Sequence, residues 1–435
     1  MKLGVYRNNI KVGLLDILAN EPFFGFTYTD DYLFSPGALP LSISLPLTGS
    51  RYPGRLAQPY FEGLLPEGEA RDAISRRLGV PLTSSVKLLQ ALGYDCAGDV
   101  TIIDESNNPP VININAADAF QYIPLDGGLS NIAQKPREEI PRLLEDMRLS
   151  LAGGQNKIAL YHNPDDPINE GWYIPSLGAP STHIIKPGLL EAYYPDVTLN
   201  EFLCLRAAAA CGIQTAEADL LFPETPIIII KRYDRKIIDE TINGFMIPSR
   251  VHQEDFCQAC GVISSSKYEY DGGPGYKQIR NLLSKYSKHP YEDILTFVKW
   301  GLYNYLIGNC DAHAKNLSIL YNPDGTVSLS PAYDLICSTV YDGNFGSKLN
   351  RGMAMKIGAH ENIDKINTDD IKIFAGDVHI RFQQVKSIGT EIVEKLTDAL
   401  KTAVIDAEAV GFNRASMLAE RIIKDSFKRA KVIYS

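Results

Sequence analysis

The sequence lacks several features that would assign it to a common protein class. No apolar run among its 435 residues approaches the length needed to span a bilayer, and the first seven residues lack the apolar core of a signal peptide. We therefore expect neither membrane insertion nor export. A net positive charge is also missing, because the formal charge is -9. The average field of such a chain repels phosphate, so only a local basic patch would favour direct binding of nucleic acid.

Motifs for two widespread kinds of site are absent as well. No GxxxxGK[ST] string occurs, which argues against a Walker-type phosphate loop. No HExxH motif occurs, and no second CxxC accompanies Cys257 and Cys260, so these two thiols are interpreted as packed side chains. The seven cysteines are odd in number and scattered through apolar segments, which favours reduced thiols and a cytoplasmic protein.

The chain is predicted to contain three regions. Alternating apolar residues from Lys2 to about Leu33 indicate antiparallel strands, followed by a helical stretch that Pro66 interrupts. This β-rich region is assigned to 1–106 and ends at the proline-rich linker 107–110. The second region, 107–250, contains strand patterns around one helix, and the third, 251–435, has a mainly helical pattern. The whole is predicted to have an α+β fold.

Three helices of this scheme have clear signals. The first spans Thr198–Cys211, with a predicted capping box at Thr198 and a stop at Gly212. The second begins at Pro290 and has an apolar face that Gly308 can end. Near the end of the chain, Leu418, Ile422 and Phe427 are predicted to form the apolar side of a third helix, with Arg429 and other cations elsewhere.

The strongest functional signal follows the predicted helix 290–307. Asp311 precedes Asn316 by five residues, and Asp334 comes after a turn predicted at Asn322–Gly325. Protein kinases use this arrangement: one carboxylate orients the attacking hydroxyl, and the other two side chains hold magnesium through oxygen. Asp-x-x-x-x-Asn alone arises easily by chance. The buried helix before it and the Tyr333-Asp334 pair after it favour the functional interpretation.

Weaker signals occur in the predicted second region. Gly153 and Gly154 would let backbone amides approach phosphate, with Lys157 adding positive charge, although a plain tight turn would give the same pattern. Lys186 ends an apolar strand. Because burying an unpaired ammonium group is costly, its side chain is expected to point into a polar cleft or to lie at the rim of one. The strand Ile227–Ile230 leads into Lys231, where backbone groups could bind adenine; a buried strand with a charged end is the alternative.

Several of these segments together resemble the HipA family of bacterial serine/threonine kinase toxins from type II toxin-antitoxin modules. The segments that carry the resemblance are 150–157, 182–186, 232–235, 253–255, 267–275, 311–316 and 333–335, and the β-rich start with Leu41–Leu47 resembles the family's N-terminal subdomain. The resemblance implies a two-lobed protein-kinase-like fold, with a β-rich N-terminal lobe that includes the extra subdomain and an all-helical C-terminal lobe.

The resemblance also implies roles for individual residues. Asp311 would be the catalytic acceptor, Asn316 and Asp334 the magnesium ligands, and Ser150 the site of an inactivating autophosphorylation. Residues implied to contact ATP are Ala152, Gly153, Gly154, Gln155, Asn156, Lys157, Lys186, Lys231, Arg232, Tyr233, His313, Asn316 and Tyr333. Lys231 stands where the family commonly has glutamate, and Gly154 and Asn156 also differ from the commoner residues.

The expected activity is ATP- and Mg²⁺-dependent phosphorylation of a serine on a protein of translation, in the class of aminoacyl-tRNA synthetases, with growth arrest as the result. The implied partner is a small helix-turn-helix antitoxin, HipB, through which contact with operator DNA is mainly indirect. Two other functions fit the same motifs: a kinase for small molecules, because the motifs specify the phosphoryl donor better than the acceptor, and a noncatalytic co-repressor subunit.

Overall fold

The protein is described here from a computed structural model that covers residues 2–17, 23–105, 120–147, 156–188, 194–341 and 350–435. The described helices are α1 Asp30–Leu33, α2 Gly54–Gly63, α3 Gly68–Leu78, α4 Ser85–Leu92, α5 Gly128–Gln134, α6 Pro136–Met147, α7 Val197–Ala210, α8 Phe256–Cys260, α9 Tyr276–Tyr286, α10 Pro290–Ile307, α11 Thr368–Val378, α12 Phe382–Ala409 and α13 Ala415–Tyr434.

The described strands are β1 Lys2–Arg7, β2 Ile10–Asp16, β3 Gly25–Tyr28, β4 Val100–Asp104, β5 Gln121–Pro124, β6 Ile158–His162, β7 Trp172–Ser176, β8 His183–Pro187, β9 Ala218–Leu221, β10 Ile227–Lys231, β11 Arg235–Ile242, β12 Phe245–Arg250, β13 Gln253–Asp255, β14 Ser318–Tyr321 and β15 Val327–Leu329. Within the described part of the chain, no helix is both long and apolar enough to cross a membrane.

The chain forms two compact units that do not follow the three predicted regions. The first unit contains 1–187 and 231–264, and the second contains 188–230 and 265–435. The predicted boundary after residue 250 therefore lies inside the first unit, and residues 188–230 pack with the later part of the chain. Segments distant in sequence share one core, which composition and linker signals alone do not reveal. The three-region division stays a prediction.

The first unit contains two antiparallel sheets. The N-terminal sheet has the order β3-β2-β1-β4 and confirms the strands predicted from Lys2 onward. Its core holds aromatic rings, with Phe26 packed 4.8 Å from Tyr28 and 5.3 Å from Phe61 between ring centroids. In the second sheet, β5, β7, β6 and β8 are neighbours in that order. The hairpin β11–β12 completes this unit and was not predicted.

The segment Leu41–Leu47, which resembles the family's N-terminal subdomain, is fixed by side chains of the same unit. The hydroxyl of Tyr28 donates to the carbonyl oxygen of Leu45 over 2.6 Å and accepts from the amide of Leu41 over 2.7 Å. Buried Glu254 accepts from the hydroxyl of Ser42 and from the amide of Ile43. These bonds satisfy polar groups that would otherwise be buried at a cost.

The second unit is mainly helical, with α7, α9, α12 and α13 contacting one another or the buried helix α10. Helix α7 begins one residue earlier than predicted, and its N-cap is Asp196 in a left-handed conformation without a side-chain cap. The predicted capping box at Thr198 is therefore wrong, because Thr198 lies inside the first helical turn. The predicted turn Asn322–Gly325 joins β14 to β15, as expected.

The C-terminal helix α13 corrects a second prediction. Leu418 and Ile422 are buried as predicted, but Phe427 is half exposed and the side chain of Arg429 is only 2% exposed. Burial of Arg429 is possible because Asp425, one turn earlier, pairs with it over 2.7 Å. The amphipathic pattern predicted that Arg429 faces water. Its charge is instead compensated by the carboxylate of Asp425.

Candidate active site

The loop 309–317, which carries Asp311 and Asn316, begins just after α10 ends. Ile294, Val298, Leu302 and Leu306 are all buried, as the apolar pattern predicts. Gly308 ends the helix with φ of 81°, a left-handed conformation that glycine adopts without steric cost. The next residues, 309–317, therefore leave the helix axis at a fixed angle and form a loop.

Amide side chains hold the first half of this loop. Asn309 donates through its side-chain nitrogen to the side-chain oxygen of Asn304, on the last turn of α10, over 2.8 Å. The side-chain oxygen of Asn309 accepts from the amide of Asp311 over 3.0 Å. Both asparagines are buried, so the position of Asp311 is set from the rigid helix. Neither Asn304 nor Asn309 was among the residues predicted for the site.

Asp311 and Asn316 are joined directly. The carbonyl oxygen of Asp311 accepts from the amide of His313 over 2.8 Å and from the side-chain nitrogen of Asn316 over 3.0 Å. Because that nitrogen of Asn316 is used as a donor, its side-chain oxygen is the atom left for a ligand. Among the described residues that oxygen has no hydrogen-bond donor. The carboxylate of Asp311 is exposed to solvent, whereas Asn316 is 8% exposed.

Asp334 is placed by pairing of the preceding segment. Ala332 donates to the carbonyl oxygen of Gln214 over 2.8 Å and accepts from the amide of Ala216 over 2.9 Å. Asp334 then adopts a left-handed φ of 53°, which aspartate tolerates better than most residues but which still carries strain. Such a conformation directs the backbone sharply after Tyr333 and is a common device at functional sites.

Tyr333 connects the Asp334 segment to the loop 309–317. Its hydroxyl donates to the carbonyl oxygen of Lys315 over 2.8 Å, and the hydroxyl of Ser318 lies 2.7 Å away and can donate to it. A hydrogen-bonded assembly therefore contains Asp311, Asn316 and the segment that carries Asp334. Tyr333 was predicted to contact ATP, and its hydroxyl is hydrogen-bonded to Lys315 and Ser318. His313, also predicted at the nucleotide, is buried against the ring of Tyr268.

The other predicted ATP contacts lie in the first unit or outside the described residues. Lys186 is on β8 with 5% exposure, and Asn156 and Lys157 directly precede β6. Ser150 and the segment Ala152–Gln155 lie outside the described residues. Lys231 is exposed, and the hydroxyl of Tyr233 donates to the side-chain oxygen of Gln253 over 2.5 Å.

Arg232, one of the residues predicted to contact ATP, has a buried side chain with acidic partners. Its guanidinium lies 2.8 Å from Asp234 and 3.4 Å from Asp95, and its amide donates to the carbonyl oxygen of Thr182 over 2.9 Å. Arg235 and Arg250 also pair with Asp95, over 2.8 Å and 3.0 Å. The side chains of this cluster are almost completely buried. The polar hydrogens of Arg232 are thus bonded to groups in the interior of the first unit.

The charges of this cluster stabilise one another. Burial by itself raises the pKa of the Asp95 carboxyl, but Arg235, Arg250 and Arg232 together lower it below its usual value. Burial likewise opposes ionisation of Asp234, and the neighbouring guanidinium groups reverse that effect on its pKa. The guanidinium groups therefore favour the charged form of both buried carboxyls.

Models of known protein families match two parts of the chain. A family model described as the HipA-like C-terminal domain matches residues 149–402, more than half of the chain. The chain belongs to the HipA family. A second model, the HipA N-terminal domain, matches residues 3–103. The resemblance predicted from the motifs is confirmed.

Relatives with similar sequences are named as kinases. The chain is 34% identical over 389 residues to putative kinase Y4mE of Sinorhizobium fredii, covering 88% of this chain and 87% of the relative. It is 27% identical over 437 aligned residues to serine/threonine-protein kinase toxin HipA of Shewanella oneidensis, covering 96% of this chain and 93% of that protein. The protein is a kinase of this family, as predicted.

A solved structure extends the comparison to the fold. The HipA chain in a Shewanella oneidensis MR-1 complex of HipA, HipB and operator DNA matches with a TM-score of 0.79 and 23% identity, over 99% of this chain and 98% of that chain. The predicted α+β, kinase-like fold class is confirmed by this match.

Proposed function

We propose that the protein is an ATP- and Mg²⁺-dependent serine/threonine kinase that acts as the toxin of a HipBA-like module. One observation carries the proposal: Asp311 presents an exposed carboxylate on a loop in which Asn316 is bonded to the same residue and keeps its side-chain oxygen available. A hydroxyl nucleophile needs such a carboxylate within hydrogen-bonding reach. Membership of a kinase family supports this role over that of an ordinary surface aspartate.

Asn316 and Asp334 are the residues that would hold magnesium. Asn316 offers an amide oxygen and Asp334 a carboxylate, and hard divalent cations prefer oxygen ligands of this kind. Magnesium, when bound, supplies positive charge that offsets the negative charge of the phosphates. The protein's own contribution is to orient the substrate hydroxyl with Asp311 and to keep the three residues on one hydrogen-bonded loop assembly.

In the first unit, we assign Lys186 to the phosphates and the backbone of Lys231 and Tyr233 to adenine. The glycine-rich segment 152–157, with Lys157, would cover the phosphates. Arg232 is retained only through its carbonyl oxygen, since its amide and guanidinium already have partners. His313 and Tyr333 are assigned to positions near the nucleotide by their place on the loop assembly.

We further propose that the substrate is a serine on a translation protein of the aminoacyl-tRNA synthetase class, and that the protein is cytoplasmic. A HipB-like antitoxin is the proposed partner, with operator DNA contacted mainly through it. The solved complex that contains HipA, HipB and operator DNA supports this assignment. Autophosphorylation of Ser150 would add about two negative charges beside the phosphate-binding segment and inactivate the kinase.

The proposal is tested by incubating the purified protein with labelled ATP, Mg²⁺ and a cell extract. Label is expected on a serine of an extract protein or on Ser150, and Asp311→Asn is expected to reduce its incorporation by at least about a hundredfold. Asp324→Asn is a matched control, since Asp324 lies in the turn between β14 and β15. Label found only on small molecules would indicate a metabolite kinase. Unchanged growth arrest by Asp311→Asn would instead favour the noncatalytic co-repressor.

A further inference from the structure

Tyr268 contacts the proposed catalytic carboxylate directly. Its hydroxyl donates to one carboxylate oxygen of Asp311, Oδ1, over 2.8 Å. The other oxygen, Oδ2, has no hydrogen-bond donor among the described residues. Tyr268 belongs to the segment 267–275, which was singled out as a motif but to which no chemical role was given. The arrangement leaves one oxygen held by the protein and the other facing solvent.

The ring of Tyr268 is restrained on several sides. Tyr270 stacks on it with ring centroids 5.2 Å apart and planes inclined by 8°. His313 meets it edge to face at 5.4 Å, and the ammonium group of Lys267 lies 5.6 Å from its ring centroid. Aromatic and cation–π contacts of this kind each contribute to fixing a ring in place. Removing the ring from Asp311 would break all of them.

Backbone hydrogen bonds also join the segments that carry Tyr268 and Asp311. The amide of Glu269 donates to the carbonyl oxygen of Ala354 over 2.8 Å, and the amide of Ala354 donates to the carbonyl oxygen of Cys310 over 2.9 Å. Glu269 follows Tyr268 and Cys310 precedes Asp311, so a backbone route and a side-chain route connect the same two segments. The carbonyl oxygen of Tyr268 also accepts from the amide of Gly273 over 2.8 Å. The separation of Tyr268 from Asp311 is thus determined by the fold.

We propose that Tyr268 is a positioning residue that fixes the side-chain rotamer of Asp311, so that Oδ2 is presented to the substrate hydroxyl. This inference rests on the proposed catalytic role of Asp311. If Tyr268 instead blocked the site, its side chain would have to move away when substrate binds. The stacking on Tyr270 and the backbone hydrogen bonds favour a ring that stays in place. Because Oδ1 is occupied by Tyr268, only Oδ2 of Asp311 can accept from the substrate hydroxyl. The carboxylate is already oriented before substrate binds, so the entropic cost of orienting it does not add to the reaction barrier.

The test is steady-state kinetics of Tyr268→Phe, which keeps the ring and its stacking but removes the hydroxyl. We expect kcat to fall roughly tenfold, since a hydrogen bond to a charged group is lost. KM for ATP and the thermal midpoint of unfolding should each stay close to wild type. Tyr270→Phe is the matched control: its hydroxyl has no partner among the described residues, and its kcat should be unchanged.

Each other result overturns the inference. An unchanged kcat for Tyr268→Phe would show that the bond does not position Asp311, and an increased kcat would show that Tyr268 obstructs the site. A lowered thermal midpoint together with a raised KM for ATP would indicate a merely structural tyrosine. Asp311→Asn, measured in parallel, distinguishes failure of the proposed function from failure of the positioning role. If that variant keeps its kinase activity, the proposed function fails; if it is inactive while Tyr268→Phe is normal, only the positioning role fails.

Discussion

The side-chain Nε of Arg429, six residues from the last residue of the chain, donates to the carbonyl oxygen of Leu306 over 3.0 Å. Leu306 lies in the last turn of α10, where carbonyl oxygens lack partners within the helix. The same guanidinium pairs with Asp425, and Asp425 accepts from the hydroxyl of Thr339 over 2.6 Å. The end of α13 thereby supports the end of α10, from which the loop 309–317 departs.

Arg429→Met should destabilise the second unit by about 3 kcal/mol, because it breaks a buried ion pair and removes the partner of a helix-end carbonyl. Lys428→Met is the matched control: Lys428 pairs with the same Asp425 but is 67% exposed, so its loss should cost at most about 0.5 kcal/mol. Urea unfolding followed by tryptophan emission measures both changes. In a Trp172→Phe background, Trp300 of α10 is the remaining tryptophan and reports on this unit. Equal losses for the two variants would contradict the role of Arg429.

Gly308→Ala should be more damaging than another alanine placed at a glycine with positive φ. A Cβ on Gly308 would lie 2.1 Å from the hydroxyl oxygen of Thr339 and 2.7 Å from a nitrogen of Arg429. Gly272 has a φ of 91°, and a Cβ added to it would have no other atom within 4 Å, so Gly272→Ala introduces only backbone strain. We expect a loss of about 1–2 kcal/mol for Gly272→Ala and about 2 kcal/mol more for Gly308→Ala. Thermal unfolding of the two variants side by side checks the difference.

The contribution of Asp425 should depend on pH in acid. Burial of this carboxyl raises its pKa, but Arg429, Thr339 and Lys428 outweigh burial and lower the pKa to about 2. A pKa below that of the unfolded chain means that the stabilisation is complete above about pH 4 and is lost as the pH falls toward 2. The difference in unfolding free energy between wild type and Asp425→Asn should therefore shrink over this interval. A difference that is constant from pH 7 to the lowest pH measured would refute the assignment.

Arg232→Met should destabilise the first unit by about 3 kcal/mol or more, because Asp95 and Asp234 would remain buried with less compensating charge. Lys236→Met, on the exposed side of β11, is the control and should change stability by less than about 0.5 kcal/mol. With Trp300→Phe in both variants, Trp172 of β7 reports on the first unit. If Arg232→Met lowered ATP affinity while leaving the unfolding transition unchanged, Arg232 would be a nucleotide ligand rather than part of the interior.

Features with local signals were predictable from the sequence. The end of α10 at Gly308 and the turn Asn322–Gly325 depend on glycine and turn residues at particular positions, and the structure has both where they were expected. The order of Asp311, Asn316 and Asp334 along the chain likewise carried the family resemblance, because kinase chemistry requires these side chains. Local pattern and chemistry therefore identified the loop that carries the candidate site.

Features that depend on distant partners were not predictable. Periodicity assigned Arg429 to the solvent side of its helix, and no local rule indicated that Leu306, 123 positions earlier, would accept from it. Arg232 was predicted to belong to the hinge, but the pairing of its guanidinium with Asp95, 137 positions away, was not predicted. Tyr268 received no role because its partner Asp311 is 43 positions further along. Such contacts are set by tertiary packing, which a single sequence does not specify by inspection.

The route of the chain through its two units has a consequence for synthesis. Residues 188–230 interrupt the first unit, whose last stretch is 231–264. A chain growing from its amino end at about 5–20 residues per second cannot finish that unit until position 264 has left the ribosome. The loop 309–317 emerges later still, and α13, whose Arg429 supports the end of α10 before that loop, emerges after it. A translation product that stops short of α13 would therefore carry Asp311 without the hydrogen bond from Arg429 to Leu306 that supports the end of α10. Premature termination is expected to yield an inactive enzyme.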